Sequence, residues 1–286
     1  MPAPLIAMPA EPSRVGPIGV FDSGVGGLSV VRSLWSLLPA EDILYVGDSA
    51  NCPYGPRPPA EIQRFALGIG RYLLDHGAKA LVVACNTASG AALSVLRATF
   101  PDVPIVGMVP AIKPAAAWSR TRVVGVLATP LTLNGSLYGA VVREHAEGVR
   151  VLNVVCPGLV EAVERGETDS PALRESLQRC LQPMLDEHAD ALVLGCTHYP
   201  FLRRTIEALC GDRMHIFETG EPVARQTQRV LAAAGLAAAD DTVGTTVLVS
   251  TRSAARLQAS AKALLGVELH TREARWSETG LHDLAV

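Results

Sequence analysis

The chain has 286 residues, of which 49% are hydrophobic, and its formal net charge is −3 at pH 7. This length is sufficient for a large buried core and for two domains of ordinary size. The slightly acidic balance gives no reason to expect a nucleic acid as a partner. No apolar run approaches the roughly 18 residues of a membrane-spanning helix, and residues 1–14 lack the basic start and apolar stretch of a signal peptide. We therefore expect a cytoplasmic protein with no membrane association.

Strand and helix signals alternate along most of the chain, which is typical of α/β proteins. In the first part, strands are predicted at residues 17–21, 43–47, 80–84 and 104–106, and helices at 27–38, 59–76 and 89–98. After Trp118, strands are predicted at residues 122–127, 149–155 and 191–195, and helices at 132–144, 172–188 and 199–209. A strand at 246–250 and a helix at 254–265 follow. The last residues, 271–286, are polar and unpatterned, which predicts an extension that could be mobile.

The restart of the pattern indicates an internal repeat. Residues 19–23 (GVFDS) align with residues 125–129 (GVLAT), both at the end of a predicted strand. The predicted fold class is therefore α/β, with two similar doubly wound domains whose parallel-rich sheets face each other across a central cleft.

Two short segments of the repeat end in a cysteine. Residues 81–87 (LVVACNT) and 192–198 (LVLGCTH) are apolar runs of strand length, and hydrogen-bonding residues follow each cysteine. Ligands bind at the carboxyl ends of parallel strands, so we expect Cys85 and Cys196 at the edge of one cleft, on its two walls.

A thiol on each side of a substrate fits the inversion of a stereocentre by proton exchange. One side chain cannot remove a proton from one face of a carbon and deliver another to the opposite face. A thiolate can act as the base and a thiol as the acid, and exchanging the roles runs the reverse reaction. Donors must stabilise the thiolate when it forms. The four polar residues that follow the two cysteines are suitable donors: Asn86, Thr87, Thr197 and His198.

The remaining cysteines give no sign of a disulfide framework. The chain has six cysteines, but none forms a C-x-x-C pair, so free thiols are expected and a zinc knuckle is disfavoured. Cys180 and Cys210 lie in helical patterns and are interpreted as buried small hydrophobic residues. Cys156 is interpreted as core or near-site structure rather than as a catalytic residue.

The glycine-rich turn at residues 21–27 and the later Asp48 resemble a dinucleotide-binding fingerprint only weakly. Ser29 stands where the third glycine belongs, and Asp22 would face the pyrophosphate with a negative charge. An amino group is a better partner for Asp22, although a helix N-cap would also explain it. The loop at residues 47–55 leaves the same sheet end as Cys85 and could cover a substrate.

No cofactor is predicted. Pyridoxal phosphate would need a lysine for its Schiff base, and the three lysines of the chain, Lys79, Lys113 and Lys262, give no credible site. No clustered ligands indicate a catalytic metal.

Four ordered motifs resemble the signature segments of the bacterial glutamate racemases. They are residues 19–28 (GVFDSGVGGL), 47–55 (GDSANCPYG), 83–89 (VACNTAS) and 195–200 (GCTHYP). The resemblance extends over residues 15–266 and implies a cofactor-independent enzyme that interconverts L-glutamate and D-glutamate for peptidoglycan synthesis. It also implies a fold in which a late segment returns to the first domain. We accordingly predict a first domain of residues 15–107 plus 217–270, a second of 108–216, and extensions at 1–14 and 271–286.

The resemblance also implies roles for particular residues. Cys85 and Cys196 would be the alternating acid and base, assisted by Asp22, Asp48, Glu164 and His198. The expected substrate contacts are Asp22, Ser23, Tyr54, Gly55, Asn86, Thr87, Thr197 and His198. The substrate would be the small molecule glutamate, and a homodimer is expected.

Three other functions stay open at this point. A racemase of similar design could act on aspartate or another amino acid, because side-chain specificity depends on pocket shape. A dinucleotide-dependent oxidoreductase is disfavoured by Asp22 and Ser29. A non-catalytic amino-acid-binding protein would fit the cleft but gives no reason for two matched thiols.

Overall fold

A computed structural model describes residues 15–239 and 243–284, which form an α/β protein with two sheets. The strands of the described residues are β1 Ile18–Asp22, β2 Ile43–Gly47, β3 Ala80–Val83, β4 Ile105–Val106, β5 Val123–Ala128, β6 Arg150–Val154, β7 Ala191–Gly195, β8 His215–Phe217, β9 Thr246–Ser250, β10 His270–Ser277 and β11 Gly280–Asp283. The helices are α1 Leu28–Leu37, α2 Pro59–Asp75, α3 Asn86–Thr99, α4 Ile112–Trp118, α5 Pro130–Leu133, α6 Ser136–His145, α7 Leu159–Glu164, α8 Pro171–Asp186, α9 Arg203–Cys210, α10 Gly220–Ala234 and α11 Ala254–Leu265.

The first sheet has the strand order β11-β10-β9-β2-β1-β3-β4. All neighbouring strands are parallel except β10 and β11. The inner strand β1 is buried along its whole length because helices cover the sheet. Since β2 and β3 both pair with β1 in parallel, the segments that follow Asp22, Gly47 and Val83 leave the same edge of the sheet.

The second sheet has the order β6-β5-β7-β8 and is parallel throughout. Strand β7 pairs with β5, so the segment after Gly195 lies beside the segment after Ala128. Helix α10 packs against α1, which brings the late part of the chain back to the first sheet. The two parallel sheets confirm the predicted α/β fold class, whereas the domain boundaries stay a prediction.

Two helix predictions needed adjustment. The helix expected at residues 132–144 is two helices, α5 and α6, separated at Asn134 and Gly135. The helix expected at 199–209 begins as a 3₁₀ turn, Tyr199–Leu202, before α9 starts at Arg203. Asn134 and Gly135 are typical turn residues, which explains the break between α5 and α6. Pro200 lies in the 3₁₀ turn that precedes α9.

The expectation of an unpatterned extension at the C-terminal end is wrong for residues 271–283. Strand β10 adds to the sheet beside β9, and β11 turns back along β10 as a hairpin. The hairpin strands are mostly polar because they lie at the edge of the sheet, so they lack the apolar signal of the inner strands. The other predicted extension, residues 1–14, lies outside the described residues, as do residues 285 and 286.

The expectation of free thiols is wrong for one pair of cysteines. Cys156, just after β6, forms a disulfide with Cys180 of α8, 24 positions later. Spacing along the chain does not reveal this pair, because the fold brings together a strand end and the middle of a helix. Cys52, Cys85, Cys196 and Cys210 are free, and Cys210 is buried as expected.

Within residues 15–239 and 243–284, every helix is too short or too polar to cross a membrane.

Candidate active site

A cavity of about 270 Å³ lies between the carboxyl ends of the two sheets. Cys85 borders it from the first sheet and Cys196 from the second. Each thiol follows a buried parallel strand, as the two sequence segments predicted. The cavity therefore has one nearly buried thiol on each wall.

Cys85 is the N-cap residue of α3. Its sulfur accepts a hydrogen bond from the backbone N–H of Ala88 at 3.5 Å, and its backbone is extended as a cap requires. Burial and the neighbouring carboxylate of Asp22 raise the pKa of Cys85 well above its ordinary value, although the Ala88 N–H opposes this shift. Cys85 therefore rests as a neutral thiol, ready to donate a proton.

Asp22 lies behind the first wall, fully buried at the end of β1. Its Oδ2 accepts a hydrogen bond from the backbone N–H of Gly27 at 2.8 Å. Its Oδ1 is buried and has no hydrogen-bond partner among the described residues. Asp22 thus caps the glycine-rich turn and keeps one carboxylate oxygen free.

Asp48, at the end of β2, is fully buried and holds no free oxygen. The hydroxyl of Tyr54 donates to its Oδ2 at 2.7 Å, and the Asn51 amide donates to both of its oxygens. Its Oδ1 also accepts from the Thr251 hydroxyl and the Trp276 indole, each at 2.8 Å. Asp48 does not line the cavity; it lies behind Tyr54, which does. The sequence predicted Asp48 near the site but not this position behind the lining residues.

Cys196 lies beside an imidazole. Nδ1 of His198 is 3.7 Å from the Cys196 sulfur, and Nε2 is 2.7 Å from Oε1 of Glu164 on α7. Burial lowers the pKa of His198, but its hydrogen bonds with Cys196 and Glu164 outweigh burial and hold that pKa well above the ordinary value. Burial raises the pKa of Glu164, but the same imidazole outweighs burial and lowers it overall. A positively charged imidazolium therefore lies between the Glu164 carboxylate and the Cys196 sulfur.

The glycine-rich turn after β1 contacts Glu164 and His198, which belong to the other wall. A Cβ atom on Gly24 would lie 1.9 Å from Glu164, and one on Gly26 would lie 2.3 Å from His198. The backbone N–H of Val25 donates to Glu164 at 2.7 Å. The glycines thus make room for side chains from the second wall, which leaves no place for a dinucleotide pyrophosphate there.

Cys52 is a neighbour that the sequence did not single out. Its sulfur, a Glu164 oxygen and a ring nitrogen of His198 lie within 4.8 Å of one another, a donor set that could hold a metal ion. Burial, followed by the charges of Glu164 and Asp22, raises the pKa of the Cys52 thiol. Among the described residues, Glu164 accepts a hydrogen bond from His198 at 2.7 Å, and the Cys52 sulfur lies within 4.8 Å of both groups.

Polar side chains from both sheets line the cavity between the thiols. Asn86, in the first turn of α3, is nearly buried, and neither its amide nitrogen nor its carbonyl oxygen has a hydrogen-bond partner among the described residues. The Thr87 hydroxyl hydrogen-bonds with that of Thr129 at 2.9 Å, which joins the two walls. Of the residues that the sequence singled out, those lining the cavity are Ser23, Tyr54, Gly55, Cys85, Asn86, Thr87, Cys196, Thr197 and His198. Asp22, Asp48 and Glu164 support them from behind.

Thr129 and the segment around Cys156 were not predicted as lining residues, although both border the cavity. Thr129 is the N-cap of α5, where its side chain accepts from the N–H of Thr132. It follows β5 in the repeat, so its alignment with Ser23 was a usable signal.

The sequence and the fold of this chain have close counterparts among known proteins. A profile of the family described as Asp/Glu/Hydantoin racemase matches residues 18–227. A glutamate racemase from Methylococcus capsulatus is 54% identical over 220 residues, which cover 77% of this chain and 81% of that relative. A solved structure of a glutamate racemase isoform from Bacillus anthracis is 32% identical, with a TM-score of 0.82 and coverage of 93% of this chain and 98% of that one.

A further solved structure is a glutamate racemase from Francisella tularensis in complex with D-glutamate. It is 28% identical, with a TM-score of 0.80, and the match covers 92% of this chain and 98% of that chain. Family profile, sequence identity and fold agree over most of the chain. The protein therefore belongs to the Asp/Glu/Hydantoin racemase family, among its bacterial glutamate racemases.

Proposed function

We propose that the protein interconverts L-glutamate and D-glutamate by proton transfer at Cα between two cysteines. The observation that carries the proposal is the pair of thiols, Cys85 and Cys196, on the two walls of one cavity. A substrate held between them would expose each face of its Cα to one sulfur. A thiolate would remove the proton from one face while the opposite thiol delivers a proton to the other.

The surroundings of the two sulfurs differ. Burial and Asp22 keep Cys85 protonated, whereas His198, held by Glu164, places a positive charge beside the Cys196 sulfur and would stabilise a thiolate formed there during turnover. One turnover exchanges the roles of the two sulfurs, and turnover in the opposite direction restores them. Asp22, Glu164 and His198 assist by setting which sulfur carries the proton.

Unsatisfied polar atoms support the recognition of an amino acid. We propose that the negative charge of Asp22, whose buried Oδ1 has no hydrogen-bond partner among the described residues, attracts the substrate amino group from behind the cavity wall. The Asn86 amide and the hydroxyls of Ser23, Thr87 and Thr197 would bind the substrate carboxylates. Tyr54 and Gly55 would close the cavity from the loop after β2.

Glutamate, rather than aspartate, is the proposed substrate because the matched relatives are glutamate racemases and one was solved with D-glutamate. The product would supply D-glutamate for peptidoglycan in the cytoplasm. We also propose a homodimer, from the resemblance to the family, and light scattering of the purified protein measures its mass directly.

Racemisation without added cofactor tests the proposed function. We expect a solution of L-glutamate to lose its optical rotation completely with the purified, extensively dialysed protein, and D-glutamate to reach the same end point. L-aspartate at the same concentration is the matched control and should react far more slowly. A dialysed, folded protein that leaves L-glutamate unchanged would contradict the proposal, and faster reaction of aspartate would redirect it to the alternative substrate.

A further inference from the structure

The C-terminal hairpin, β10 and β11, reaches the back of the candidate site. It lies beyond the residues that the family profile matches, 18–227. The hairpin is tied to the first domain at its far end, where Asp283 accepts from the hydroxyl of Tyr72 at 2.5 Å and lies 2.8 Å from His76. These contacts make the hairpin a fixed part of the first domain.

Trp276 of β10 connects the hairpin to Asp48. Its indole N–H donates to Oδ1 of Asp48 at 2.8 Å. Its ring packs against the ring of Phe65 at a centroid distance of 5.6 Å, and Phe65 stacks on Tyr54 at 5.7 Å. A Cβ on Gly68 would lie 2.6 Å from the indole, so α2 leaves space for this ring only because residue 68 is a glycine.

Tyr54 contacts both Asp48 and Phe65, the two residues that Trp276 also contacts. Its ring is the last member of the aromatic stack, and its hydroxyl donates to the second oxygen of the same Asp48 carboxylate. Burial and the charge of Asp48 raise the pKa of Tyr54, so the hydroxyl keeps the proton that it donates. Tyr54 borders the cavity, whereas Trp276 and Asp48 do not. Trp276 thus contacts Asp48 and Phe65, the two residues that hold Tyr54 in place. Of these side chains, Tyr54 is the one that borders the cavity.

We propose that Trp276 is a positioning residue for substrate binding, which acts through Asp48 and Phe65 to hold Tyr54 against the cavity. The inference rests on the proposed function, because it assigns Tyr54 to the wall of a glutamate site. Loss of the indole N–H leaves an oxygen of a fully buried carboxylate with one donor fewer, and the Asp48 network must readjust. Tyr54 then loses its fixed position while the two cysteines keep theirs.

The test is Trp276→Phe, which keeps a ring and removes the N–H donor. We expect its KM for glutamate, and the calorimetric Kd, to rise about tenfold while kcat changes by less than about threefold. Trp35→Phe is the matched control, because the Trp35 indole donates to the hydroxyl of Thr246 at 2.8 Å in the same domain, away from the cavity. This control also loses an indole hydrogen bond, here to a neutral hydroxyl, and should keep the KM of the wild type.

Tyr54→Phe decides whether Trp276 acts through Tyr54. On this background, Trp276→Phe should raise KM much less than it does in the wild type, because coupled residues are not additive. An unchanged KM in Trp276→Phe, equal rises in the two tryptophan variants, or full additivity with Tyr54→Phe would each overturn the inference. Inversion of glutamate by the wild type tests the proposed function separately, so a racemising wild type with any of these results sinks only the role of Trp276.

Discussion

The two walls of the cavity carry the same side chain, a cysteine thiol, in different surroundings. Cys85 caps a helix, faces the carboxylate of Asp22 and is held neutral. Cys196 lies beside His198, whose other nitrogen contacts Glu164. A repeated fold can thus supply two thiols in equivalent places and surround them with different charges, a carboxylate beside Cys85 and an imidazolium beside Cys196.

The difference begins in the residues that follow each strand. After Cys85, the segment Asn86-Thr87 enters α3 directly, and the cysteine becomes its cap. After Cys196, the chain forms a tight turn in which the N–H of Tyr199 donates to the Cys196 carbonyl at 3.1 Å. The His198 ring then lies next to the cysteine that precedes it by two positions. The helix cap at Cys85 and the tight turn after Cys196 thus explain why the two thiols have different neighbours.

Removing either sulfur should have the largest effect. We expect Cys85→Ser and Cys196→Ser each to lower kcat/KM for racemisation by about a thousandfold or more, because each removes the acid or base on one face. Polarimetry with each enantiomer as the starting substrate gives the loss. Cys210→Ser, at a free buried thiol away from the cavity, is the control. Near-normal activity in either of the first two variants would remove that thiol from the mechanism.

Removing the imidazole of His198 should lower the rate of racemisation less, because it changes only the surroundings of Cys196. We expect His198→Asn to lower kcat/KM by about tenfold to a hundredfold, because the Cys196 thiolate loses its cationic partner. The loss must be equal in the two directions, since the enantiomers have equal free energy. The rate of Cys196 alkylation in a Cys52→Ser background should also fall at neutral pH. Unchanged alkylation would show that His198 does not stabilise this thiolate.

The pair of Glu164 and His198 should have a defined effect on the pH dependence of stability. The pKa of His198 is raised from 6.5, so its contribution is complete below that pH and is lost as the pH rises through the higher folded value. The pKa of Glu164 is lowered from 4.5, so its contribution is present above that pH and is lost as the pH falls through the lower folded value.

The free energy of unfolding of the wild type should therefore exceed that of Glu164→Gln most between pH 4.5 and 6.5. We expect a difference of about 2 kcal/mol there, from one charged and partly buried hydrogen-bonded pair. Denaturant unfolding at a series of pH values measures it. A difference that grows steadily above pH 7 would contradict a protonated His198 in the folded protein.

The sequence predicted the central parts of this comparison because they are local. Strand ends and the residues directly after each cysteine are encoded within a few positions, so the two thiols and the donors Asn86 and His198 were found from their segments. The family resemblance named Asp48 and Glu164 as assisting acids, but the sequence did not show that they lie outside the cavity lining, since packing places them there. The Cys156–Cys180 disulfide and the hydrogen bond of Trp276 with Asp48 join segments far apart in sequence. Contacts between residues so far apart along the chain leave no periodic pattern in the sequence.

The most direct test of two walls with separate roles is the early course of the reaction in deuterated water, starting from unlabelled L-glutamate. If one sulfur removes the proton and the other delivers a solvent-derived one, the first D-glutamate formed carries deuterium at Cα while the remaining L-glutamate stays protiated. Chiral chromatography with mass spectrometry measures the two pools before a tenth of the substrate has reacted. Deuterium entering the L-glutamate pool as fast as D-glutamate appears, or D-glutamate that keeps the original proton, would contradict a two-thiol mechanism.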